Sequence, residues 1–186
     1  MNLKEYIDEG LNARKSIKIE EIVEVSEIIY NALKNGKKLV TFGNGGSAAD
    51  AQHFAAEIAG KFLREKDPLP AIALTTNTSV ITAIGNDYSF DEIFSRQVRG
   101  IVNEGDVVFG ITTSGNSKNV IKGIEEANSK NAYTIALTGR SGGKIKSVAK
   151  KTITVESDLT PIIQETHITI IHMICMVLED MIIKRL

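Results

Sequence analysis

Apolar residues in this chain follow two alternating patterns: short continuous runs, and longer stretches spaced at helical intervals. The runs 38–42, 71–75, 107–112 and 133–138 are rich in apolar and β-branched residues, the pattern of strands buried on both faces. Residues 151–156 alternate polar and apolar, which predicts an edge strand. Helical spacing marks 19–33, and Asn35-Gly36 supplies its stop. Further helical patterns fall at 47–60, at 79–84 with 90–102, at 117–130 and at 143–150. Strands alternating with helices predict an α/β fold, a three-layer α/β/α sandwich around a flavodoxin-like, five-stranded parallel sheet.

The segment from Pro161 to Lys184 is apolar almost all round, through Ile162, Ile163, Ile170, Ile171, Ile174 and Leu178 among others. A helix apolar on every side must be covered on every side. One sheet covers only one side, so a neighbouring subunit is expected on the other, with the N-terminal helix as a second part of that interface. No repeat, low-complexity tract or Pro/Gly-rich linker divides the chain. The expected organisation is one domain over 1–186: a helical region at 1–36, an α/β core at 37–158 and a C-terminal helix at 160–184.

Composition narrows this further. With 42% apolar and 24% charged residues and a formal charge of −1, the chain carries no general attraction to nucleic acid or anionic membrane. No uninterrupted apolar run reaches the ~18 residues that span a bilayer, and residues 1–10 lack the apolar core of a secretion signal. A cytoplasmic protein is expected. The single cysteine, Cys175, sits in an apolar run and reads as a small buried hydrophobe.

Candidate chemistry lies where polar residues interrupt core patterns. His53 and Glu57, four apart, project from one helix face. Gln164 and His172, eight apart, differ by roughly 80° around a helix and still converge; Glu165 and His172, seven apart, align better. A carboxylate, an amide oxygen and two imidazoles suit either a divalent metal or an acid–base pair. Two loops complete the picture, Gly43-Asn44-Gly45-Gly46 after the first strand and Thr112-Thr113-Ser114-Gly115-Asn116-Ser117 after the third. In a 2-1-3-4-5 sheet these loops flank the crevice where ligands bind. Small residues admit a ligand to the backbone, and the following helix N-terminus favours an anion. Hydroxyls without a Walker lysine suit a sugar phosphate better than a nucleoside triphosphate, and the glycine spacing does not match a dinucleotide fingerprint.

The blocks GNGGSAADAQHFAAE (43–57), LTTNTSVITAIGNDY (74–88), FSRQV (94–98), TTSGNSKNV (112–120) and IQETHITIIH (163–172) closely resemble the phosphoheptose isomerases of the sugar isomerase (SIS) superfamily. That resemblance implies conversion of sedoheptulose 7-phosphate to D-glycero-D-manno-heptose 7-phosphate through an enediol, the first step towards nucleotide-activated heptoses. It implies substrate contacts from Asn44, Gly45, Gly46, Glu57, Asn86, Asp87 and Gln164, with the phosphate on Thr112, Thr113, Ser114 and Ser117. It implies one zinc ion per subunit on His53, Glu57, Gln164 and His172, with Glu57 and His172 as base and acid. A homotetramer with active sites between subunits is also implied. Two positions depart: Ile162 stands where members usually carry Arg, and Thr112 replaces a commoner Ser while keeping the hydroxyl. Two alternatives accompany this reading: a non-catalytic SIS sugar-phosphate regulator or replication-initiator adaptor, and an isomerase of another ketose phosphate.

Overall fold

The computed structural model describes residues 1–184. Five parallel strands form its sheet: β1 (Leu39–Gly43), β2 (Ala71–Ala73), β3 (Val107–Thr112), β4 (Tyr133–Gly139) and β5 (Lys151–Val155). Their order is β2-β1-β3-β4-β5, the flavodoxin-like arrangement expected. β1 and β3 are fully buried along their length, while β5 lies at an edge and is only half-buried, so the continuous and alternating apolar patterns mark central and edge positions respectively.

Helices cover both faces. On one side α1 (Leu3–Lys15), α2 (Ile19–Lys34), α3 (Gly46–Ala59) and α7 (Thr160–Lys184) enclose a core with Ile29, Phe54, Phe109, Leu137 and Ile174. On the other, α4 (Thr78–Asp87), α5 (Ser95–Ile101) and α6 (Lys118–Ser129) lie over Phe42, Phe94, Val98, Val108 and Ile124. Phe42 and Phe94 stack at 4.8 Å between ring centroids, fastening α5 to the sheet.

Three expectations change. The helical region at 1–36 divides into two helices, the first begun by a capping box in which Asn2 and Glu5 satisfy each other's backbone N–H groups. The helix expected at 143–150 is only a 3₁₀ turn, Lys144–Ser147. Its approach runs through Gly142 and Gly143, both at positive φ, and Ile145 N–H is spent on Gly115 O. Finally, Thr160–Ile183 is long and apolar enough, at a mean hydropathy of 1.6, to cross a bilayer by length and composition. Scattered polar residues break the continuous run, but the average stays high enough despite them. Here that helix packs against α1, α2, α3 and the sheet.

Candidate active site

Both ligand loops leave the carboxyl ends of adjacent strands, β1 and β3. The first turns through Asn44 and Gly45 (φ +55°) into α3. Gly46 opens that helix hard against Gln164 of α7: a Cβ there would stand 2.6 Å from the Gln164 Nε2. The glycine thus admits Gln164 to the loop. Its neighbour in sequence goes elsewhere, because Glu165 Oε1 accepts a 2.5 Å hydrogen bond from the Tyr6 hydroxyl of α1. Contact with the loop therefore separates Gln164 from Glu165, which helical spacing alone left open.

The second loop is internally satisfied. Thr112 and Ser117 hydroxyls pair at 3.0 Å, Asn116 N–H donates to Ser114 Oγ, and the Asn116 amide donates to Ser114 O. Gly115 takes φ +67°, and a side chain there would meet Gly142 O at 2.0 Å. The loop after β4 therefore props the hydroxyl loop from behind, also through Lys144 N–H to Asn116 Oδ1. Across the crevice, Asn44 and Asn119 exchange two amide hydrogen bonds of 2.8 Å. Asn119 and the Gly142–Gly143 prop were not among the expected site residues. Asn119 left one signal, a polar residue on the face of α6 that also buries Val120, Gly123, Ile124 and Ala127.

The acid–base candidates lie on α3 and α7. His53 Nε2 stands 3.3 Å from Glu57 Oε1, and 2.9 Å from His172 Nε2. The Phe62 ring also lies near His172, with centroids 5.9 Å apart. One turn before His53, Asp50 keeps a buried Oδ2 with no hydrogen-bond partner. Burial pushes the Asp50 carboxyl up to about 6, with His53 pulling it back. Asn86 and Asp87 are brought to neither group: both are exposed at the end of α4, where Asn86 Nδ2 donates to Asp87 Oδ1. Ile162 is fully buried, facing Gly10 of α1.

Among the described residues no group of three His, Cys, Asp or Glu side chains forms a ready metal cage. The two close pairs nevertheless share His53 Nε2, and donors around one zinc at about 2.1 Å stand roughly 3–3.5 Å apart. His53 and His172 with Glu57 supply two imidazoles and a carboxylate, donor types that a divalent cation takes.

Comparison with known proteins extends the pattern across the chain. A family model described as SIS domain matches residues 5–139, which includes both ligand loops and stops before α7. A probable phosphoheptose isomerase of Thermoplasma acidophilum is 59% identical over 180 residues, covering 97% of this chain and 99% of that protein. The phosphoheptose isomerase of Aquifex aeolicus is 56% identical over 166 residues, covering 89% and 87%. A solved phosphoheptose isomerase from Neisseria gonorrhoeae superposes with TM-score 0.90 at 44% identity, covering 96% of this chain and 97% of that one.

Proposed function

This chain belongs to the phosphoheptose isomerases of the SIS-domain family, and on that premise we propose how its site works. The enzyme interconverts sedoheptulose 7-phosphate and D-glycero-D-manno-heptose 7-phosphate, the entry to nucleotide-activated heptose synthesis. The carrying observation is the meeting of His53, Glu57 and His172 between α3 and α7, the same two helices that bring Gln164 against Gly46, on a chain with full-length isomerase relatives.

Aldose–ketose exchange moves a proton between C1 and C2 through an enediol, and needs a base at carbon and a proton donor at oxygen. Glu57 takes the proton from carbon. His172, a side chain with both a donor and an acceptor nitrogen, serves the oxygens. Thr112, Thr113, Ser114 and Ser117 hold the phosphate with neutral donors at the start of α6, where the helix dipole favours an anion. Asn44, Gly45, Gly46 and Gln164 face the sugar. Ile162 belongs to the α1–α7 packing, so its departure from the family's usual Arg leaves the heptose reading intact.

Zinc fits the same face: His53, Glu57, Gln164 and His172 would hold it, one ion per subunit. When bound it supplies Lewis acidity to the substrate's oxygens. Elemental analysis of protein purified without chelator tests this, and an absence of stoichiometric metal together with full activity in strong chelator removes it.

A homotetramer is the matching assembly. Leu3, Ile7 and Leu11 expose an apolar stripe on α1, and Met176 on α7 is also exposed; these surfaces suit a second copy of the chain. Active sites between subunits would give Asn86 and Asp87 a place at a neighbour's crevice. Light scattering returning a stable monomer rules this out. The cytoplasm, where sugar phosphates are made and used, is the proposed location. Incubation with sedoheptulose 7-phosphate beside other ketose phosphates, watching for aldose, tests the activity and its substrate.

A further inference from the structure

We infer that Asn119 is a positioning residue for this reaction, fixing the orientation of the Asn44 amide and tying the two ligand loops into one binding surface. The inference rests on the isomerase reading of the site. Asn119 is the second residue of α6 and is 3% exposed.

An amide's oxygen and nitrogen are told apart by their partners. Val120 N–H, which can only donate, bonds to Asn119 Oδ1 at 2.9 Å. That fixes the oxygen, so the Asn119 nitrogen is the donor to Asn44 Oδ1. Asn44 must then turn its own nitrogen towards Asn119 Oδ1. A backbone group of α6 therefore dictates, through one buried side chain, which end of Asn44 is which. Asn44 keeps one N–H and one oxygen lone pair beyond this exchange, and their positions are set before any ligand arrives. With Asn44 free to rotate, the donor and acceptor it offers a sugar phosphate would interchange at random. The cost falls on substrate alignment, because the phosphate hydroxyls belong to a loop with its own internal bonds.

Two substitutions separate positioning from mere packing. Asn119→Asp keeps the acceptor for Val120 N–H and places a carboxylate near a helix N-terminus, so thermal stability should hold. Yet it presents only acceptors to Asn44, so the two-way exchange cannot form in either orientation. Asn119→Leu removes the two bonds to Asn44, and the acceptor for Val120 N–H, without adding charge. The oligomeric enzyme is assayed with sedoheptulose 7-phosphate beside wild type, with thermal midpoints and inhibition by inorganic phosphate measured in parallel.

The expected result is a loss of at least about tenfold in kcat/KM for both variants, with inhibition by phosphate in Asn119→Leu within about threefold of wild type. The Asp deficit should persist in about 0.5 M salt, where simple repulsion of the substrate phosphate is screened. An Asp variant whose kcat/KM lies within about threefold of wild type, or is restored by salt, overturns the inference. So does a Leu variant with unchanged kcat/KM. Turnover by wild type decides the isomerase reading separately. Should wild type not turn over, the same ratios are read from calorimetric affinity for this sugar phosphate, and an absence of binding overturns both.

Discussion

The two halves of the site are held in different ways. The phosphate half hangs from the ends of buried central strands, and the pairs Thr112–Ser117, Ser114–Asn116 and Asn44–Asn119 close its hydrogen bonds within the chain. The acid–base half lies on two helix surfaces, where the His53 side chain is 43% exposed and Asp50 retains an unpartnered buried oxygen. In the proposed reading, binding is built onto the ends of the sheet, while the acid–base residues stay on a more open surface. This division predicts that the halves fail separately.

The largest effect belongs to the open half. Glu57→Gln keeps the size and an oxygen but loses the base, so turnover should fall about 10²–10⁴-fold. Sugar-phosphate affinity by calorimetry should stay within about threefold, since the phosphate loop is untouched. A variant that turned over within about tenfold of wild type would take the base from Glu57; Glu165, bonded to Tyr6, is a poor successor. His172→Gln should lower turnover about 10²-fold or more with similarly preserved binding, read by single-turnover rates.

The closed half should show the reverse. Ser117→Ala removes a hydrogen bond to a charged group, worth about 1.5–3 kcal/mol, so affinity should weaken roughly 10- to 150-fold. Rate at saturating substrate should change less than affinity. Equal losses in both would mean that phosphate binding also aligns the reacting carbons.

A smaller effect concerns α7, which joins the halves. His167 is fully buried, lies against the Thr138 main chain, and has no well-aligned partner at either ring nitrogen. Burial holds it down at about 4 from its usual 6.5. A folded-state value below the unfolded one means that the unfolded chain takes up the proton first. Stability is therefore full above pH 6.5 and lost as pH falls towards 4, by about 3 kcal/mol at most from this residue. Denaturant titrations across that window check it, and His167→Leu should flatten the slope.

Much of this was legible in the chain. Continuous apolar runs report burial on both faces, so the central strands followed from 38–42, 107–112 and 133–138, while their order was a premise of the doubly wound fold that the structure bears out. The glycine and hydroxyl loops followed from their places after strands. Partnership was harder to read. Helical spacing nominates a face but cannot tell Gln164 from Glu165, because what separates them is Gly46 on one side and Tyr6 on the other. Asn119 stayed hidden for the same reason: its importance lies in a bond to Asn44, 75 residues away. The 3₁₀ turn at Lys144–Ser147 owes its brevity to contacts with Gly115 and Asn116, which no local pattern encodes.

The central claim is proton transfer at carbon by Glu57 on a phosphate-anchored heptulose. The most direct test incubates purified protein with sedoheptulose 7-phosphate in D₂O and follows the product by NMR. The account predicts an aldose heptose 7-phosphate carrying solvent deuterium at C2, formed by wild type and almost abolished in Glu57→Gln. Failure of wild type to form aldose, or undiminished formation by Glu57→Gln, would contradict it.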